Sequence, residues 1–502
     1  MKTRSTPERG ASAGGFLVGG TVRYIGAAME FGEKLVRRLL ACALPLVMLA
    51  PPAIAQTTPP AAATATPTVA PAPAAPTATA AAVATTPAAP VVASPALEAR
   101  AKNVAEIFSG RGDYDAIFAP TFREKVPRAQ LDAVIAQITG GAGAVVGVEK
   151  LDAVTSTSGT LQIGFTRGIG TMRIAIDPAE PHQIVGLLVT GMTAREASLD
   201  AVLGTIASLP GTTGFAFVRL DGPAPTTILA RQPDQAFAIG SAFKLVILSE
   251  LVRALTAGER HWEDVVTLDG GPLPGGFYTD KPEGTKVTLR ELAGRMISVS
   301  DNSATDILLA TLGREKVEAM LPVVGFAAPA RDRPFLTTLE AFKLKGVRGG
   351  ALGTSYLALD EKGRRAMLDG EVHSTPISAI DPTLFADGKP RAIDTLEWFA
   401  TPQDIVHVMN WLRLNTESGP ASEARAILAQ NSGVGPTAAQ AWRYLGYKGG
   451  SEPGVMNMSF LLKTFDGTWY AMTGSWNDPS AAVDEGRFVA LMARAVELAA
   501  AR

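Results

Sequence analysis

The sequence predicts an α+β chain with two folded units. Three observations lead there: a proline-rich stretch separates an N-terminal segment from the rest, helical spacing gives way to strand-like runs over 97–192, and over 193–502 an opening helix and strand are followed by a strand-free middle and a late strand pair. A length of 502 residues allows about three domains at ~150 residues each, but an export segment and a tether take up part of it. Lys and Arg total 46 against 48 Asp and Glu, with no basic block, so nucleic acid is excluded as a partner. Beyond the N-terminal segment no run approaches the ~20 apolar residues of a membrane span.

From Met29 the chain reads E-F-G-E-K-L-V-R-R, then a mostly apolar stretch over 39–54, then Ala53-Ile54-Ala55. A basic start, an apolar middle and an A-x-A end predict an export signal cleaved after Ala55, with residues 1–28 an over-extended start. The rival reading is a lipoprotein with its lipid on Cys42, but there the apolar stretch follows the cysteine instead of preceding it. Cys42 is the one cysteine, so the cleaved chain has neither disulfides nor thiol chemistry. Segment 56–96 is almost entirely Ala, Pro, Thr and Val, an extended, semi-stiff tether.

Within 97–192, Val104, Ile107 and Phe108, then Leu131, Val134, Ile135 and Ile138, recur at helical spacing, and four strand-like runs follow at 144–151, 160–165, 171–176 and 183–189. This predicts an antiparallel sheet wrapped on helix. Asp113, Asp115, Arg123 and His182 are its polar candidates, and with no spacing to link them they read as surface and turn residues.

The chemistry lies in 193–502. A helix is expected over 194–209 and a strand over 213–220, and then Gly240-Ser241-Ala242-Phe243-Lys244 opens an apolar helix stopped by Gly258. Ser241 and Lys244, three residues apart, share one face. A serine hydroxyl is a weak nucleophile until a base takes its proton, and a neutral lysine one turn away can do so. Ser300-Asp301-Asn302 follows between two helical stretches, and after a middle expected to be strand-free, Lys448-Gly449-Gly450 heads a strand pair.

Ser-x-x-Lys, Ser-Asp-Asn and Lys-x-Gly in this order resemble the class A β-lactamase and penicillin-binding-protein superfamily of serine hydrolases over the last ~300 residues. The resemblance implies a β-lactamase-like α+β fold, an antiparallel sheet flanked by helices plus an all-helical subdomain. With the small first domain it is similar to the two-domain serine hydrolases associated with clavulanic acid biosynthesis and their actinobacterial lipoprotein relatives, whose first domain is cystatin-like or steroid-isomerase-like. It makes Ser241 the acylated nucleophile, Lys244 its base and Ser300 the proton relay. Asn302 then holds Lys244 and substrate, Lys448 supplies a charge that keeps Lys244 neutral, and Gly450 and Ser451 belong to the binding and oxyanion edge, with the N–H groups of Ser241 and Ser451 as donors. No metal and no cofactor is implied. The expected partner is a small β-lactam or ester, or peptidoglycan, for a monomer with no membrane domain beyond its signal. The four histidines, His182, His261, His373 and His407, share no motif.

Three departures bear on activity. No E-x-x-L-N pattern lies between Asn302 and Lys448, and Glu340, Glu361, Glu371 and Glu397 lack its neighbours, so a penicilloyl adduct should persist. An insert over 334–391 forms either a lid or a structural extension. Gly449 stands where the family has Thr or Ser, and Glu452 would repel a substrate carboxylate. The expected function is an exported acyl-serine hydrolase, poor at penicillin hydrolysis; a D-Ala-D-Ala peptidase and a non-catalytic wall-binding or β-lactam-binding protein are the alternatives.

Overall fold

The computed structural model describes residues 91–222 and 224–501; the export segment, Cys42 and the tether as far as residue 90 lie outside the described residues. Ser94 accepts from the Leu97 N–H at 3.1 Å and Pro95 takes the first helical position, so α1 (Pro95–Phe108) begins slightly before the change in composition. After α2 (Arg128–Ala142) come β1 (Val145–Thr155), β2 (Ser158–Phe165), β3 (Gly168–Ile176) and β4 (Ile184–Ala194), an antiparallel meander in that order. β1 and β2 run longer than expected because the polar residues that read as a turn, from Asp152 to Thr155, pair with β2. Leu161, Ile163, Phe165, Met172 and Ile174 pack on Leu97, Val104, Ile107 and Phe108.

β4 continues through Ala194, which pairs with Gly168, and the next helix, α3 (Leu199–Ala207), waits for its cap at Ser198. The helix expected from residue 194 therefore starts five residues later. β5 (Thr212–Arg219), β6 (Thr226–Arg231) and β7 (Phe237–Ala238) lead into a 3-10 turn, Gly240–Phe243, and α4 (Lys244–Thr256). The short pair β8 (Val265–Thr267) and β9 (Lys286–Thr288) precedes α5 (Leu289–Ser298), α6 (Asn302–Leu312) and α7 (Arg314–Val323). The insert supplies α8 (Thr338–Gly346), α9 (Ala351–Leu357) and α10 (Glu361–Met367). β10 (Phe399–Ala400), α11 (Pro402–Asn415), α12 (Glu423–Leu428), β11 (Tyr444–Glu452), β12 (Val455–Lys463), β13 (Trp469–Asn477) and α13 (Glu485–Ala500) complete the chain.

The main sheet is antiparallel, in the order β11-β12-β13-β5-β6. Its centre is covered on both faces: Phe217, Met458, Phe460 and Met472 meet Phe488, Leu491 and Val496 of α13, while Ala216, Val218, Leu461 and Ala471 face α4 and α11. A strand covered on both sides is buried continuously instead of alternately, as β12 is from Val455 to Leu462, with Asn457 and Ser459 its buried polar positions. The middle is not free of strands, since β10 pairs antiparallel with β7, a two-residue contact too short to leave a period in the sequence.

The insert is a structural extension and not a lid. Leu344, Val347, Leu352, Tyr356, Leu368 and Val372 belong to the main core. Thr337 and Glu340 form a capping box, and buried Asp306 of α6 accepts from the N–H groups of Thr338 and Leu339 at 2.8 and 2.9 Å.

Candidate active site

Ser241 lies in the 3-10 turn and Lys244 opens α4, so the helix expected at the serine begins with a tighter turn. In that geometry residues three apart eclipse, which puts Ser241 and Lys244 on one face. Gly240 supplies the bend with φ 47°, and a Cβ there would lie 3.0 Å from the Ser451 nitrogen. From behind, the Phe243 ring stacks on Trp398 at 3.8 Å, and the Trp398 carbonyl accepts from the Ile239 N–H at 3.0 Å. Ser241 is half-buried and can be reached; Lys244 is fully buried.

Lys244 Nζ donates to the Ser300 carbonyl at 2.7 Å, to Ser300 Oγ at 3.1 Å and to Asn302 Oδ1 at 2.7 Å. Burial lowers its pKa to about 7, against the pull of Asp301 and Asp306. Ser300 has φ 57°, a strained value for a residue with a side chain, and that turn aims both its oxygens at lysine. Asp301 caps α6 and also accepts from the Phe277 N–H at 2.7 Å, which fixes the loop whose Phe277 ring stands exposed beneath Arg295.

Lys448 Nζ donates to the same Ser300 Oγ at 3.0 Å and to the Gly449 carbonyl at 2.5 Å. Burial, and then the charge of Lys244, push its pKa well below the usual lysine value. The expectation that Lys448 keeps Lys244 neutral therefore shifts, because burial is the first cause of the lowering at Lys244. The Ser300 hydroxyl thus sits between two amines, within hydrogen-bond reach of both.

Lys448, Gly450 and Glu452 lie on one face of β11, in the second half of the strand and not at its head. β11 is an edge strand. Only Pro453 and Gly454 separate it from β12, so Glu452 with Val455 and Gly450 with Asn457 form the hydrogen-bonded pairs, and alternation leaves the Ser451 N–H on the free edge. A Cβ at Gly450 would drive into Ile239 O and Ser241 N, so strand and turn are pressed together here. Gly449 has no room for a hydroxyl side chain, because the Tyr447 ring and hydroxyl occupy that place.

The structure thus brings Ser241, Lys244, Ser300, Asn302, Lys448, Gly450 and Ser451 to one place. Glu452 does not present a free carboxylate to a substrate: Lys345 donates to it at 2.6 Å and also bonds Glu397, both side chains being nearly buried. Residues 345, 397 and 452 are too far apart in sequence for any motif to have linked them. The remaining glutamates pair with arginines, Glu340 with Arg314, Glu361 with Arg365 and Glu371 with Arg348. In the small unit Asp113 caps a short helix, Asp115 pairs with Arg123, and His182 Nδ1 contacts the Asp177 carbonyl at 3.1 Å. Among the described residues no group of three or more His, Cys, Asp or Glu is placed to hold a metal, and no helix is long and apolar enough to cross a membrane.

Residues 194–417 match the Beta-lactamase2 model, described as the Beta-lactamase enzyme family. Similar solved structures include a β-lactamase from Sphaerobacter thermophilus DSM 20745, 20% identical over 61% of this chain and 97% of that one with a TM-score of 0.42. A β-lactamase from Chitinophaga pinensis DSM 2588 is 16% identical over 60% and 98%, TM-score 0.41. A point mutant of PBP-A, an acyl-enzyme complex with penicillin G, is 17% identical over 60% and 95%, TM-score 0.40. The fold is β-lactamase-like, an antiparallel sheet flanked by helices with a helical subdomain.

Proposed function

We propose that this chain is an exported, monomeric serine hydrolase, organised as N-terminal extension and signal (1–55, the signal starting at Met29), tether (56–96), small α+β unit (97–192) and hydrolase unit (193–502). It forms an acyl-Ser241 intermediate on a small ester or amide of β-lactam or acetyl-ester type. The reading rests on one observation: a fully buried lysine, one turn after a half-buried serine, bonded to Ser300 and Asn302; burial lowers its pKa to about 7, which fits a base. Ser241 Oγ attacks the carbonyl and passes its proton to neutral Lys244. The oxyanion accepts from the N–H groups of Ser241 and Ser451; Ser300 gives its proton to the departing group and takes in return the one Lys244 received from Ser241, which leaves Lys244 neutral again.

Water must then cleave the ester. None of the three acceptors around Lys244 is a carboxylate, which supports slow deacylation and poor turnover of penicillins. The same observation favours a second reading, a peptidase of penicillin-binding-protein type acting on D-Ala-D-Ala stems. Intact-mass spectrometry after exposure to a penicillin and to small esters tests the proposal and reports processing at Ala55. An adduct on the wild type, none on Ser241→Ala, and acylation slowed about 10³-fold or more in Lys244→Ala are expected. No adduct and no ester turnover would end the enzyme reading, and D-alanine release from a wall peptide would select the peptidase.

A further inference from the structure

The bridge from Lys345 to Glu397 and Glu452 lies outside the reacting groups, yet it joins the insert to the strand that carries the oxyanion donor. Lys345 and Glu397 have side chains 1% and 2% exposed, and Glu452 10%. Burying three ionisable groups together carries a large desolvation cost, which only their contacts with one another offset. Glu452 is the residue after Ser451. Glu397 precedes Trp398, whose ring and carbonyl hold the turn of Ser241. One ammonium on α8 thus ties together the two backbone segments whose spacing sets the oxyanion gap.

Other contacts of the insert point the same way. Pro390 lies against the tip of the β11–β12 hairpin, where a Cβ on Gly454 would come within 2.7 Å of its ring, and Ile393, Val455, Phe399 and Ala238 form a separate apolar cluster beneath. The register is tight: Gly240 and Gly450 admit no side chain between turn and strand. A free edge strand has no neighbour on that side to hold it, so something else must fix its end.

We infer that Lys345 and Glu452 are positioning residues: the hydrogen bond between their buried side chains clamps the end of β11 against the nucleophile turn and holds the Ser451 N–H at the oxyanion distance from Ser241. The clamp rests on the proposed acyl-serine reading for its catalytic consequence, but not for its mechanical one. Burial raises the Glu452 pKa, and the nearby Glu397 raises it further, while the two carboxylates together overcome burial at Lys345 and keep it an ammonium.

Glu452→Ala separates clamp from fold, because it leaves Lys345 and Glu397 as a balanced pair, whereas Lys345→Met would strand two buried carboxylates. In Glu452→Ala the acylation rate constant is expected to fall about 10- to 100-fold with the dissociation constant of the preceding complex changed less than about threefold. Amide exchange over 446–454 rises and the melting temperature moves by only a few degrees. Glu452→Gln, which still accepts from Lys345, rescues both readouts. Unchanged acylation and unchanged exchange in Glu452→Ala would overturn the clamp. If the wild type is inert to every acylating probe, the acyl-serine reading fails while the exchange comparison still decides the clamp: faster exchange over 446–454 in the alanine variant alone supports it, and equal exchange in all three proteins rejects it.

Discussion

In the proposed reaction Lys244 serves as a base while surrounded by acceptors. Three oxygens within 3.1 Å suit an ammonium, yet full burial disfavours the charge, and the balance falls at a pKa of about 7. This sets a pH profile with a definite sign. The neutral amine is the active form, so acylation per unit of free enzyme rises with pH, reaches half its plateau near pH 7 and at pH 5 is about 100-fold below that plateau. Stopped-flow acylation by a chromogenic cephalosporin, at concentrations well below saturation, measures it. A flat profile between pH 5 and 8 would mean that another group takes the proton of Ser241. In Asn302→Ala the amine loses one of its acceptors, which removes support from the charged form and moves the midpoint to lower pH.

Among the elements, the meeting of the 3-10 turn with β11 carries the most strain on sequence choice. Gly450→Ala places a methyl group against Ile239 O and Ser241 N, so strand and turn must part by about an ångström. Acylation is expected to drop about 100-fold or more, in line with loss of an oxyanion donor, while circular dichroism stays that of the folded chain. Wild-type acylation by this variant would place the oxyanion site elsewhere. Gly450 could be read from the sequence as part of a motif, and so could Ser241, Lys244, Ser300, Asn302 and Lys448, because each sits at fixed spacing within one turn of helix or one end of a strand. Lys345, Glu397 and Glu452 could not, since their contact depends on how the insert folds back over the core and not on any local period. The same limit explains β10, where two residues pair through tertiary packing, and α3, whose start is set by β4 pairing through Ala194. The apolar periods did locate the sheet of the small unit and α4, where local pattern and burial agree.

At the scale of the whole molecule the small unit rests on α13, the helix whose opposite side packs the main sheet. Met192 of β4 packs against both cores. Around it, Arg487 pairs with Glu196 at 3.0 Å with both side chains about one-seventh exposed, and also donates to the Arg167 carbonyl at 3.1 Å, while Arg494 donates to the Glu196 carbonyl at 2.7 Å. Of these bonds the one to the Arg167 carbonyl reaches into 97–192, while those to Glu196 fix the connector that leaves β4; breaking a nearly buried pair by removing one partner costs about 3–5 kcal/mol, a large fraction of the stability of a unit this small. The wild type should therefore unfold in a single calorimetric transition, because the small unit draws on contacts with the larger one. In the Arg487→Ala, Arg494→Ala double variant Glu196 is left without its partner, and the transition should split, the small unit melting first and the catalytic unit near its original temperature. Acylation by the folded catalytic unit should survive the first transition, since among the described residues none of the small unit reaches Ser241, Lys244 or Ser300 through a hydrogen bond. A single undivided transition in the double variant would show that Met192 and its apolar neighbours couple the units without help from the arginines.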